Sequence, residues 1–360
     1  IMSDIWNAWY NGIYRCNDVL DHLEGREELP NYDKYRGEVL FMRSWWYFNL
    51  YRAFGGVPIA HKVVSPADAK TIRRCTDDEM YTLLTGDLAE AARLLPASKG
   101  AEKARVTDIA AWTLLAKVYL TFGKPGEAKT ALEEAMKNPN YGLVNTTADA
   151  FNVKNKFNKE IIFALYYNKA NDTGHGYWYS TTKPEEAQLT QPAPVFRALY
   201  DARDNRLPLI SEYTEDKKGT YLLNKWFDTL KGNVVENDFP HLRYADVVLM
   251  YAEALAESGS SLGDALVWLN KTRTRAGLDA LKAEDIPSKG AFIEALADER
   301  GREFALEGHR WFDLVRLGLA LDRFHEMGYK LDAHNLLFPI PQNQIEIVND
   351  KTILWQNPGY

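Results

Sequence analysis

Cysteine is almost missing from this chain. Cys16 and Cys75 are the only two in 360 residues. They form no CxxC pair, so a disulfide framework and a thiolate zinc site are both unsupported. Histidine is sparse too. The seven histidines are scattered, with no HExxH and no carboxylate–His cluster, so no metal or other cofactor is expected. No excess of positive charge exists. Lys and Arg total 43 against 50 Asp and Glu, a net charge of -7. A nucleic-acid partner needs a basic face to neutralise phosphates, and none is expected here. No apolar run approaches the roughly 20 residues of a membrane-crossing helix. No Walker A loop occurs, and the "GHG" at positions 174–176 does not continue into GxGxxG.

What is present is helix. Hydrophobic residues make up 46% of the chain, ample for a buried core, and length alone suggests about two domains. "IMSDIWNAWYNGIYRCNDVL" reads as an amphipathic helix with Ile5, Trp9, Ile13 and Cys16 on one side. It starts at once, without a leader, so the chain is expected to be truncated at its N-terminus. "YDKYRGEVLFMRSWWYFNLYRAFGG" is a long aromatic helix closed by two glycines. Thr76 and Glu79 form a capping box for the helix that stops at Pro96. Two later helix pairs resemble each other. "AKVYLTFGKPGEA" (116–128) lies over "AEALAESGSSLGDA" (252–265), with Ala, then Gly, then Ala at matched places. Small residues there let antiparallel helices approach closely, as in tetratricopeptide repeats. The copies are far apart, so something is inserted between them. The expected architecture is all-α, built of tetratricopeptide-like helix pairs. The scaffold takes approximately 1–139 and 240–360, and a loop-rich insert with a few short strands takes 140–239. "EIIFALYY" (160–167) and "GTYLLNKWFDT" (219–229) are its strand candidates.

Catalytic readings fare poorly. Gly259 to Gly263 matches GxSxG, but a helix precedes it where a nucleophile elbow needs a strand. "ERGREFALEGHRWFDLVRLG" (299–318) places Glu299, Glu303 and Glu307 on one helix face. Arg300, Arg302, Arg310 and Arg316 lie alongside. Close arginines keep carboxylates ionised, which is wrong for a general acid. Gly308 is expected to end one helix, and His309 or Arg310 to start the next. Arg310–Asp313 and Asp313–Arg316 are i, i+3 pairs, and Trp311 joins the apolar side. The stretch reads as a corner between two helices, locked by charge.

Several stretches together resemble the SusD/RagB family. They are "HLRYADVVLMYAEALAE" with "ALVWLNKTRTRAGL", the charged stretch at 299–318, "LLFPIPQNQIE" with the ending "QNPGY", and the early "WNAWYNGIYRCNDVL" and "RSWWYFNLYRAFGGVPI". The resemblance implies a single helical domain with four tetratricopeptide-like pairs. It implies a non-catalytic, surface-exposed lipoprotein of the outer membrane, held by an N-terminal lipid anchor that this chain lacks. It implies capture of a nutrient, usually a glycan, for a SusC-like TonB-dependent barrel. A tetratricopeptide scaffold, or a binder of another nutrient such as peptide, is the alternative.

No ligand residue carries over from that resemblance, so the sugar site is read from chemistry. Sugars stack their C–H faces on aromatic rings and offer hydroxyls to Asn, Asp, Arg and Gln. "NDTGHGYWYSTT" supplies Tyr177, Trp178 and Tyr179, with Asn171 and Asp172 nearby. Trp226 is the second choice. The helix tryptophans Trp45, Trp46, Trp112 and Trp268 are expected in the core.

Overall fold

The computed structural model of the chain describes residues 1–100, 102–168, 194–210, 212–214, 220–222, 225 and 236–360. It is mainly helical with a few short strands, as the patterning implies. By internal contacts the chain divides into two compact units. The first takes Ile1–Ser98, Val106–Lys124 and Gly318–Tyr360; the second takes Lys99–Arg105 and Pro125–Leu317. That division falls between the two helices of the earlier repeat copy.

The first unit is built on α1 (Met2–Leu23), α2 (Tyr32–Phe54), α3 (Asp77–Leu94) and α4 (Asp108–Thr121). α1 buries Trp6, Ile13, Cys16, Leu20 and Leu23; Ile13 and Cys16 are as expected, and the face turns at its start to Trp6, leaving Ile5 and Trp9 half-buried. Gly12 explains the turn. A Cβ there would lie 2.5 Å from Trp46 Nε1, so the helices touch where a side chain is missing. α2 is buried on most sides, through Phe41, Trp45, Tyr47, Phe48 and Phe54. Trp46, Trp112 and Trp268 are half-buried rather than fully in the core. Arg43 of α2 makes a bidentate pair with Asp87 of α3, at 2.7 and 2.8 Å, and reaches Asn17 of α1 at 3.1 Å. The capping box of α3 forms as expected: Thr76 accepts from Glu79 N, and Glu79 accepts from Thr76 N.

The C-terminal "QNPGY" is tied into this unit. Arg74 donates to Gly56 O, Phe54 O, Trp355 O and Asn357 Oδ1. Asn357 Nδ2 in turn donates to Phe54 O and Phe338 O. One buried guanidinium and one buried amide satisfy the carbonyls left at the end of α2.

The second unit holds α5 (Pro125–Met136), β1 (Ile161–Leu165), β2 (Glu212–Thr214), β3 (Thr220–Leu222) and β4 (Phe239–Arg243). It continues with α6 (Tyr244–Glu257), α7 (Leu262–Arg275), α8 (Lys289–Glu303) and α9 (Arg310–Arg316). β1 pairs antiparallel with β4, Ile161 opposite Arg243 and Leu165 opposite Phe239. β2 and β3 form a second antiparallel pair. Residues 241–243, expected to open a helix, are strand instead. The apolar residues of β1 need a hydrogen-bonding neighbour, and that long-range demand overrides local propensity.

α6 packs against α5, α7 and α8. Ala252 and Ala265, the small residues of the repeat signature, are fully buried, with Leu249, Leu269, Phe292, Leu296 and Phe304 around them. The GxSxG match is a helix–helix turn. Ser261 Oγ accepts from Asp264 N and caps α7.

Candidate functional site

Trp178, Tyr177, Tyr179, Asn171, Asp172 and Trp226 lie outside the described residues. What is described is the root from which that stretch leaves. β1 ends at Leu165, and Tyr166 and Tyr167 follow. Leu165 and Tyr166 are 45% and 43% exposed, unusual for large apolar side chains beside a strand. The Tyr166 ring tilts against Phe157 at 5.2 Å. Phe157 sits at φ +57°, a costly left-handed conformation for an aromatic residue.

Two lysines flank these rings. Lys156 Nζ lies 4.9 Å from the Tyr166 centroid and is held by Tyr167 O at 2.6 Å and Asp238 at 3.0 Å. Lys99 Nζ lies 5.5 Å from the Phe157 centroid and 5.6 Å from that of Tyr141, and donates to Ile161 O at 2.8 Å. Burial pulls the Lys99 ammonium down to about 8. Rings beside cations suit a ligand with C–H faces and polar rims. Sequence reading missed Phe157, Tyr166, Tyr141 and Lys99. The alternation of Phe and Lys in "FNVKNKF" (151–157) was the available signal.

Beneath this root lies a buried charge network. Arg243, at the end of β4, reaches Glu160 at 2.5 Å, Glu303 at 3.0 Å and Glu307 at 2.7 Å. Phe151 and Phe304 cover its guanidinium, at 5.2 and 4.9 Å. Arg275 joins Glu160 and Glu303, at 2.7 and 2.6 Å. Arg206 joins Asp204, Glu299 and Glu303. Lys225 reaches Glu307 at 2.7 Å. Burial pushes the Glu303 carboxyl up, but Arg275, Arg243, Arg206 and Lys225 override it and hold it well below the usual carboxylate range. Glu299 is likewise lowered against its burial by Arg206 and Arg302.

The signature stretch is thus a lock, but a wider one than expected. Its acids are paired mainly with cations from elsewhere in the unit. For Glu299, Glu303 and Glu307, Arg206, Lys225 and Arg243 come from 205–243, Arg273 and Arg275 from α7, and Arg302 from the stretch itself. A second group does tie the corner. Arg300 joins Asp313 at 2.8 Å and Asp246 at 2.9 Å, and Arg316 joins Asp313 at 3.0 Å and also Glu253. Arg310 is turned back to Ala297 O and Asp298. Trp311 is half-buried. α8 leaves off at Glu303, ahead of the expected Gly308. The intervening turn uses Leu306 at φ +66° and Gly308 at φ +79°, and it brings Glu307 back onto Lys225 and Arg243.

The same stretches carry the similarity to known proteins. The SusD family model matches residues 205–360. A second model, "Starch-binding associating with outer membrane", matches residues 2–120. The chain belongs to the SusD/RagB family. A SusD superfamily protein of Parabacteroides distasonis shares its fold at TM-score 0.86 and 26% identity, over 100% of this chain and 86% of that one. A SusD-like protein described as laminarin-binding matches at TM-score 0.79 and 27% identity, over 99% of this chain and 85% of that one. A SusD-like protein of Formosa agariphila is 23% identical over 410 residues, 96% of this chain and 77% of its own length. The two matched segments of the family hold the two structural ties described above. Arg43, Asp87 and Asn17 fall in the earlier segment, Arg74 there meets Asn357 of the later one, and most of the buried network falls in the later one.

Proposed function

We propose that this chain is a non-catalytic glycan-binding protein of the outer membrane. It captures oligo- or polysaccharide at the cell surface and passes it to a SusC-like TonB-dependent barrel. The observation that carries the reading is the aromatic root of the insert: Phe157 and the exposed Tyr166, 5.2 Å apart, leading into the Trp- and Asn-bearing stretch at 171–179. The laminarin-binding relative supports a sugar as the ligand. Scaffold at 1–139 and 240–360 and a ligand-bearing insert at 140–239 is the domain division we adopt. Residues 171, 172, 177–179 and 226 form the sugar face, with rings stacking on C–H faces and amides taking hydroxyls. Modest affinity suits the role, since the ligand must leave again. Carboxylates clamped between arginines offer no general acid, which fits capture without bond cleavage.

Affinity gels containing a panel of neutral and acidic polysaccharides test this. At least one glycan retards the wild-type protein, and Trp178→Ala weakens that retardation without unfolding the chain. Retardation by none of the panel, or release of new reducing ends during incubation, overturns the proposal.

A further inference from the structure

We infer that the root of the insert carries a subsite for an acidic sugar, whose carboxylate or sulfate ester is met by Lys99 between the Tyr141 and Phe157 rings. The inference rests on the insert being the glycan face. It adds the charge class of the sugar.

The two lysines are satisfied differently. Lys156 has a carboxylate partner, Asp238 at 3.0 Å, and the Tyr167 carbonyl at 2.6 Å. Its charge is neutralised in place. Lys99 has neither. Among the described residues its Nζ meets one neutral acceptor, Ile161 O, and two ring faces. An ammonium carries three donors, so two of them are left without a protein oxygen among the described residues. A half-buried cation with one neutral acceptor is expensive to keep. The cost shows in the direction of its titration, downward through burial, with Lys103 adding to it and Asp238 opposing it. A ligand anion would supply the missing acceptor as a charge-assisted hydrogen bond. The rings on either side would cover the sugar's C–H faces, which fits a saccharide anion better than free phosphate. The surroundings favour the same sign. Lys103, Lys154 and Lys159 are all exposed on the flanking segments. The chain as a whole carries -7. Three acids lie nearby: Asp238 holds Lys156, Glu160 lies in the buried network, and exposed Glu102 sits 3.5 Å from Arg105. Neutral-sugar binding alone gives no reason to hold Lys99 this way.

The test measures binding of the full chain to a panel by calorimetry. Alginate and polygalacturonate supply uronates, carrageenan and dextran sulfate supply sulfate esters, and laminarin, starch and dextran are neutral. Salt is kept at about 0.15 M, where the screening length is about 8 Å and loose surface charge counts for little. The uronate and sulfate arms identify which anion is read. The best acidic glycan is expected to bind about tenfold tighter than the best neutral one, the gain of one charge-assisted contact. Lys99→Met loses that preference and Lys99→Arg retains it. Thermal melts of both variants confirm folding; Met keeps the contact with the two rings and removes a buried charge. Acidic-glycan affinity also falls as pH rises through about 8, because the free ammonium loses its proton there. Tight binding of a neutral glycan with no acidic preference overturns this inference and leaves the glycan reading standing. So does acidic binding that a folded Lys99→Met variant keeps. Binding to no glycan at all overturns both.

Discussion

Glu303 shows how a single residue carries the second unit. Its carboxylate accepts from Arg206 at 3.1 Å, Arg243 at 3.0 Å and Arg275 at 2.6 Å, and from Thr147 at 3.3 Å. Removing its charge leaves three buried guanidiniums short of a partner. Breaking a buried pair in this way costs about 3–5 kcal/mol. Glu303→Gln is therefore expected to lower the unfolding free energy by that order, read as a lower urea midpoint with the slope of the transition unchanged. The pH dependence has a definite sign. In the folded chain Glu299 and Glu303 ionise below their ordinary value, and in the unfolded chain at about 4.3. Their stabilisation is present above that value and is lost as pH falls through the lower, folded one. The wild type should keep this stability above the ordinary Glu value and lose it progressively as pH falls from about 4.3 towards the lower, folded value. Glu303→Gln should show a shallower acid loss in melts recorded across pH.

At the scale of elements, the α8–α9 corner is a structural joint. Asp313 accepts from Arg300 at 2.8 Å and from Arg316 at 3.0 Å, so it ties both helices to one carboxylate. Asp313→Ala is expected to lower the melting temperature by several degrees, through the unpaired Arg300. Glycan affinity of the folded fraction should stay at the wild-type level in affinity gels. A stable variant without binding would move the working site to this corner. The elements themselves were unevenly legible. α2 and α3 end where glycine and proline say they must, and α3 starts at its capping box, because caps and breakers act within a few residues. The strand at 239–243 was not legible, because its partner β1 lies far away in sequence. The buried face of α1 was legible in part: Ile13 and Cys16 are buried as expected, while Trp6 takes the place of Ile5 and Trp9, near the contact of Gly12 with Trp46.

At the scale of the whole molecule, the proposal demands two partners, a sugar and a barrel. Detergent extracts of outer membranes from cells that make this protein should yield a SusC-like barrel in pull-downs of it. Sugar binding should persist in the isolated chain. A barrel without sugar binding would favour the scaffold alternative over nutrient capture.

Composition and short-range pattern were enough for the fold class. The small residues of the repeat copies, the caps and the charged stretch at 299–318 all speak of helices that bury themselves against neighbours. The same stretch marked the family, and its interleaved acids and bases already argued for a lock. Which cation meets which acid was a tertiary matter. Arg206, Lys225, Arg243 and Arg275 converge on α8 from well-separated places, and no local spacing encodes that convergence. The lysine between Tyr141 and Phe157 belongs with them. Its position in the sequence is ordinary. Its loneliness among neutral partners exists only once β1 has brought Ile161 and the rings together, since burial is a property of the packed chain and not of the residue.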